Sequence, residues 1–274
     1  MIAIVTDSTA YLTHDEAVAM GVVIVPMSYS FDAGQSLNEG CIENDDRAER
    51  QVAERIEHVH TSQATLGAFV NTFTMLRRAG YEILCMTISS RLSGTYANAL
   101  LAAKELGGQH IEVVDSLTTC AGLYLLIREA RRRIDEGDKL GAVVRYLNKL
   151  RGRVRMCFSV DDMTPLRRSG RLGNVKMSIS TVLNIKPILE LRDGAIVSAG
   201  LARGRVEQAR RLGAFCAQAE GELVIIGFLA DEAAGRLTAQ LAGAGREVER
   251  RRVGPVLGAH LGGGCLGVAY IQKD

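Results

Sequence analysis

The sequence predicts an α/β protein of two domains. Residues 1–158 read as a three-layer N-terminal domain on a parallel sheet, and residues 159–274 as a two-layer C-terminal domain with a mixed or antiparallel sheet. Three observations carry this prediction. Short apolar runs alternate with longer helical patterns through the first half, as βαβ units require. Three of those runs end alike: Val5 is followed by TDST, Ile88 by SSRLSGT and Val114 by DS. In a parallel sheet such ends share one edge, where open α/β folds bind ligands. In the second half, two apolar runs flank Arg192-Asp193-Gly194, a hairpin signal that a purely parallel sheet does not contain.

Taken in order, Ile2–Val5 is a strand, Asp15–Met20 a short helix and Val22–Ser30 a second strand. Asp46–His58 is a charged amphipathic helix, and Leu66–Ala79 a helix stopped by Gly80. The strand Ile83–Ile88 leads into a helix over Thr95–Leu106, closed by Gly107 and Gly108 as a C-cap. A strand at Ile111–Val114 precedes a long helix, Leu117–Glu136, that Gly137 ends. Met156–Val160 is strand-like, and Met163–Arg168 and Val175–Leu183 are helical. Lys186–Leu191 and Ala195–Ala202 form the hairpin. Arg205–Glu220 is helical, Glu222–Leu229 a strand, Glu232–Gly243 a helix, and Val248–Val253 and Leu266–Ile271 are strands.

The bulk composition narrows the function. Of 274 residues, 47% are apolar and 23% charged, which is globular composition, and the formal net charge of +2 argues against a nucleic-acid reader. The basic stretch from Arg145 to Arg171 lacks nearby aromatics for base stacking and reads as a solvated face. Six cysteines stand singly, with no CxxC and no zinc spacing, so no metal is expected. No apolar run reaches the roughly 20 residues that span a bilayer. A cytoplasmic protein without stable membrane insertion is expected.

The hydroxyl cluster over 89–95 raises the functional question. One helix cap needs one hydroxyl, yet Ser89, Ser90, Ser93 and Thr95 surround Gly94. A helix start offers free N–H groups and a partial positive charge, and Ser93 and Thr95 add neutral donors, so an anion site is expected there. A carboxylate and a phosphate both fit. Thr61 and Ser62, in TSQ, form another hydroxyl pair ahead of a helix, and His260 lies in a glycine-dense loop before the last strand. GxSxG, GxxxxGK[ST] and a GxGxxG after a strand are all missing.

IVTDST at the start, TSQ at 61, ISSRLSGTY at 88, VVDS at 113, LRRSGRLG at 166, LNIKPIL at 183 and VGPVLGAHLGGGCLGV at 253 follow one another across nearly the whole chain. In this combination the sequence resembles the DegV family of bacterial fatty-acid-binding proteins. The resemblance implies two α/β domains, an acyl tail in an apolar tunnel and a carboxylate held by hydroxyls, with no cofactor beyond a bound long-chain fatty acid such as palmitate. It puts the carboxylate contacts on Thr61, Ser93 and His260, with Ser62, Gly94 and Thr95 as neighbours. It implies no turnover by the chain itself, and presentation of the lipid to a separate fatty acid kinase that makes an acyl-phosphate. Arg167, Arg168 and Arg171 would dock that kinase. Two segments depart from the family pattern: AYLT follows IVTDST where a DLP-like run is usual, and Ala64 follows TSQ where proline is usual. Residues 32–60, often a flap over the ligand, are hard to align.

The physical chemistry agrees with that division of labour. Burying a 16-carbon tail at roughly 0.8 kcal/mol per CH2 gives about 12 kcal/mol before ordering costs. Each head-group hydrogen bond adds about 1–3 kcal/mol and sets orientation. Leu100, Leu101, Leu123, Leu125, Leu126, Ile179, Val182 and Leu183 are candidate tunnel or core residues. The alternative is a serine-dependent acyl hydrolase with Ser93 as nucleophile and His260 as base, oriented by Asp7 or Asp115.

Overall fold

The computed structural model describes residues 1–32, 34–43, 45–172 and 184–273. The expected helix Val175–Leu183, with Ile179, Val182 and Leu183, lies outside the described residues.

β1 (Ile2–Asp7) is apolar on both faces, as a central parallel strand must be. α1 (His14–Ala19) opens on a reciprocal capping box between Thr13 and Glu16. β2 (Val22–Val25) stops before Pro26, and β3 (Met27–Phe31) begins after it. The single strand expected over Val22–Ser30 is therefore two, because Pro26 has no N–H to continue the ladder. β4 (Leu37–Glu39), α2 (Arg47–Glu54) and β5 (Val59–Ser62) follow, and β4, β3 and β5 form a small antiparallel sheet that the sequence did not reveal. Strands of three to five residues are too short to display alternation. α2 is shorter than the helix expected there and ends in a tight turn at Ile56–His58.

α3 (Leu66–Arg78), β6 (Glu82–Thr87), α4 (Thr95–Glu105), β7 (Ile111–Asp115), α5 (Cys120–Asp135) and α6 (Leu140–Leu150) complete the parallel half. Its sheet runs β2–β1–β6–β7, all parallel, with α3 packed on α4 and α5 on α6 to make three layers. The C-terminal ends of β1, β6 and β7 lie side by side, as their shared hydroxyl endings predicted.

β8 (Val154–Ser159) crosses into the second sheet and is followed by α7 (Thr164–Arg168). β9 (Ile185–Arg192) and β10 (Ala195–Arg203) are the expected hairpin. α8 (Gly204–Phe215) ends earlier than the helix expected to Glu220: a tight turn over Cys216–Gln218 follows, and β11 (Ala219–Phe228) begins at Ala219. α9 (Asp231–Gly243), β12 (Val248–Arg252), α10 (Pro255–Leu261) and β13 (Cys265–Gln272) end the chain. The six-stranded sheet runs β10–β9–β8–β13–β11–β12, antiparallel except for the β11–β12 pair.

α5 joins the halves. It packs on the parallel sheet and also on β8, β11 and β13. Its first eight residues, Cys120 to Ile127, are all buried, which is how a helix held between two sheets must read. The expected division at 158/159 cuts β8 just before its end; we propose that the two units meet between α6 and β8. Among the described residues, no helix is long and apolar enough to cross a membrane.

Candidate functional site

A cavity of about 310 Å³ lies where the C-terminal edge of the parallel sheet meets the six-stranded sheet, β5 and α10. Most of its wall is apolar: Met27 from β3, Cys120 from α5, Met156 and Phe158 from β8, Leu191 and Ile196 from the hairpin, Ile226 from β11, and Val256, Leu257 and Leu261 from α10. Leu191 and Ile196 are register partners across the hairpin, so one β-pair supplies one patch of wall. Leu100, Leu101, Leu123, Leu125 and Leu126 do not line it. Leu123, Leu125 and Leu126 belong to the α5 core, and Leu101 is 45% exposed.

The polar part of the wall consists of Thr61, Ser62, Gln63, Ser93, Gly94, Thr119, His260 and Arg171. Thr61, Arg171 and His260 also line an outer cleft of about 260 Å³, together with Glu57, His60, Arg168 and Ser169. These three residues therefore stand between the apolar interior and the surface.

Each polar group is held by local structure. β5 pairs antiparallel with β3, matching Thr61 to Tyr29 and Ser62 to Ser28. Its two-residue period leaves Thr61 half-buried and Ser62 exposed. The expectation that this pair opens a helix is corrected: both residues are in the strand, and Thr65 caps α3 by accepting from the Ala68 N–H at 3.2 Å. That leaves the Thr61 hydroxyl for His260, with Oγ1 and Nε2 2.9 Å apart.

The loop after β6 divides its hydroxyls by role. Ser89 is fully buried, donates to the Gly194 carbonyl at 2.8 Å and accepts from the Arg91 N–H, so it pins the loop to the hairpin turn. Ser93 Oγ accepts from the Thr95 N–H and lies 2.9 Å from Thr95 Oγ1. Thr95 is fully buried and lies behind Ser93. Gly94 is the N-cap residue of α4.

His260 is not in a loop. It occupies the last turn of α10, whose N-terminus carries Pro255 at a position that needs no N–H. Glu39 accepts from the Val256 N–H at 3.3 Å, and the Tyr11 hydroxyl accepts from the Leu257 N–H at 3.1 Å. Both supports come from the first half of the chain, so glycine density concealed a helix capped from a distance. Burial, with Arg171 and Arg168 nearby, pushes the His260 imidazole down to about 4, so it is neutral at pH 7. Burial pushes Glu39 up to about 8, so this carboxyl is mostly protonated there.

Asp7 accepts from the Thr9 N–H, the Thr9 hydroxyl and the Ile88 N–H; Asp115 accepts from the Ser90 and Leu117 N–H groups. Neither acid bonds His260, whose partner among the described residues is Thr61. Arg171 is exposed at the cavity mouth and donates to the Ser169 carbonyl; Arg168 donates to the Ile56 carbonyl. Arg167 lies on the exposed side of α7. Sequence reasoning missed Gln63, although it completes the TSQ run, and it missed Glu39 and Tyr11, which no local motif announces.

The family model described as "Uncharacterised protein, DegV family" matches residues 1–273. A DegV domain-containing protein of Halalkalibacterium halodurans is 32% identical, with 99% of each chain covered. One from Deinococcus radiodurans is also 32% identical, over 98% of this chain and 97% of its own. Among solved structures, "Fatty Acid Binding of a DegV family Protein from Thermus thermophilus" superposes with a TM-score of 0.88 at 27% identity, covering 99% of both chains. A fatty acid binding DegV family protein from Streptococcus agalactiae gives a TM-score of 0.89 at 26% identity, over 100% of this chain and 99% of that one. With a whole-length family match, a shared fold and relatives above 30% identity, the chain belongs to the DegV family.

Proposed function

We propose that this chain binds a long-chain fatty acid such as palmitate, with the tail in the apolar cavity and the carboxylate on Thr61, Ser93 and His260. Ser62, Gly94 and Thr95 adjoin that contact. One observation carries this reading: an apolar cavity is closed on its polar side by hydroxyls and a neutral imidazole. The fatty-acid-binding relatives with the same fold support it.

The hydrogen bonds supply an order of donation. If His260 donates from Nε2 to Thr61 Oγ1, the single Thr61 proton is released for the ligand, and His260, whose neutral ring has one N–H, acts on the carboxylate through Thr61. If Thr95 donates to Ser93 Oγ, the Ser93 proton is released in the same way. Two hydroxyl protons then converge on an acceptor-only group, with no buried charge pair required. The chain performs no turnover in this scheme. It presents the lipid to a separate fatty acid kinase through Arg167, Arg168 and Arg171, beside the outer cleft.

Native mass spectrometry of the purified protein, followed by lipid extraction, tests the binding. One fatty acid per chain is expected, and pairing Thr61→Val with Ser93→Ala should weaken palmitate binding by about 10–100-fold. A mass unchanged after incubation with C14–C18 fatty acids rejects the reading. For the docking surface, Arg171→Glu in lipid-loaded protein should cut acyl-phosphate formation by at least about tenfold when kinase and ATP are supplied. An unchanged rate removes that role.

A further inference from the structure

Gly94 has an ordinary backbone, with φ −72° and ψ 2°, so its conformation does not require glycine. What requires it is space. A Cβ built on Gly94 would lie 2.2 Å from Gln63 Oε1, 2.8 Å from Cδ and 2.9 Å from Nε2. All three atoms of the Gln63 amide therefore lie against the glycine. The adjacent backbone is fixed there, because Asn98 of α4 donates from Nδ2 to the Ala64 carbonyl at 2.8 Å. Gln63 is exposed and has no hydrogen-bond partner among the described residues, yet it lines the cavity beside Thr61 and Ser93.

A carboxylate has about four lone-pair sites, and the Thr61 and Ser93 hydroxyls fill two of them, because the one N–H of neutral His260 goes to Thr61. We propose that the Gln63 side-chain amide is a further head-group positioning residue, its Nε2 donating to the ligand carboxylate from its seat on Gly94. This inference rests on the fatty-acid reading above. An amide suits the position because it donates without bringing another charge beside Arg171.

Binding of radiolabelled palmitate and of hexadecanol, its alcohol, to the full-length protein separates this role from a structural one. Gln63→Glu puts a negative charge against the carboxylate but against no charge on the alcohol. Palmitate affinity should fall at least about tenfold while hexadecanol affinity changes less than about twofold. Gln63→Ala should weaken palmitate about 3–10-fold, again sparing the alcohol. Equal losses for both ligands, or none for palmitate, overturn the inference and leave lipid binding intact. Wild-type protein that takes up neither ligand overturns the lipid reading and this inference with it.

Discussion

Gly258→Ala is expected to destabilise the folded chain by about 2 kcal/mol, lowering Tm by about 4–8 °C, and to weaken lipid binding at least about tenfold. Two effects oppose each other. Alanine is a better helix former than glycine by about 1 kcal/mol, and Gly258 lies within α10. Against this, its Cβ would lie 2.1 Å from Phe228 Cε2 and 2.2 Å from Cζ. Phe228 is fully buried on β11 and has no room to retreat, so either the ring or α10 must shift by more than 1 Å from ordinary contact distance. Overpacking of that kind costs about 1–3 kcal/mol, occasionally more, and outweighs the propensity gain. Binding suffers because α10 carries Val256, Leu257, His260 and Leu261 of the cavity wall. Thermal unfolding and palmitate titration are the measurements. Phe228→Leu added to Gly258→Ala should recover part of both losses. Gly263, which has no atom of the described residues within 4 Å of its Cβ position, is the control: Gly263→Ala should stay within about 0.5 kcal/mol of wild type. Equal effects at 258 and 263 would disprove the account.

The second large effect is a dependence of stability on pH, through Glu39. This carboxyl binds its proton at about pH 8 when folded and near 4.5 otherwise. The folded chain thus holds a proton that the unfolded chain has lost across that interval. The stabilisation is fully present below pH 4.5 and is lost as pH rises through 8. His260 acts in the opposite sense. Its folded value of about 4 lies below the ordinary imidazole value of 6.5, so its contribution is present above pH 6.5 and is lost as pH falls toward 4. The two oppose each other below pH 6.5, and Glu39 stands clear above it. Urea denaturation should show stability falling by about 1 kcal/mol from pH 6.5 to 8, since the slope of up to about 1.4 kcal/mol per pH unit flattens near pH 8. Glu39→Gln, which imitates the protonated acid, should flatten that slope. A flat wild-type profile in this range, or an equal slope in Glu39→Gln, would refute the assignment.

Much of this was legible in one dimension. The parallel strands of the first half, their shared hydroxyl-rich ends and the hairpin at Asp193-Gly194 depend on local periodicity and turn chemistry, which neighbouring residues carry. Ser93 and His260 stood out because a hydroxyl cluster and a histidine beside glycine are unusual where capping alone would suffice, whereas Thr61 was singled out by the family resemblance. What failed was whatever depends on distant partners. The helix around His260 was hidden because Gly258 and Gly262 look like loop residues. Gly258 is in fact small to admit Phe228, and the helix is capped by Glu39 and Tyr11, more than 200 residues away. Pro26 divided one expected strand between two sheets.

The sequence by itself determined the α/β class, the edge of the sheet at which a site would form and the kind of donor found there, because periodicity, caps and turns act over a few residues. Only the tertiary structure decided which apolar side chains surround the cavity, that Thr61 rather than an acid partners His260, and that Gln63 fills the space above Gly94. Those outcomes depend on how elements far apart in the chain pack, and an apolar residue looks the same in sequence whether it faces a core or a cavity.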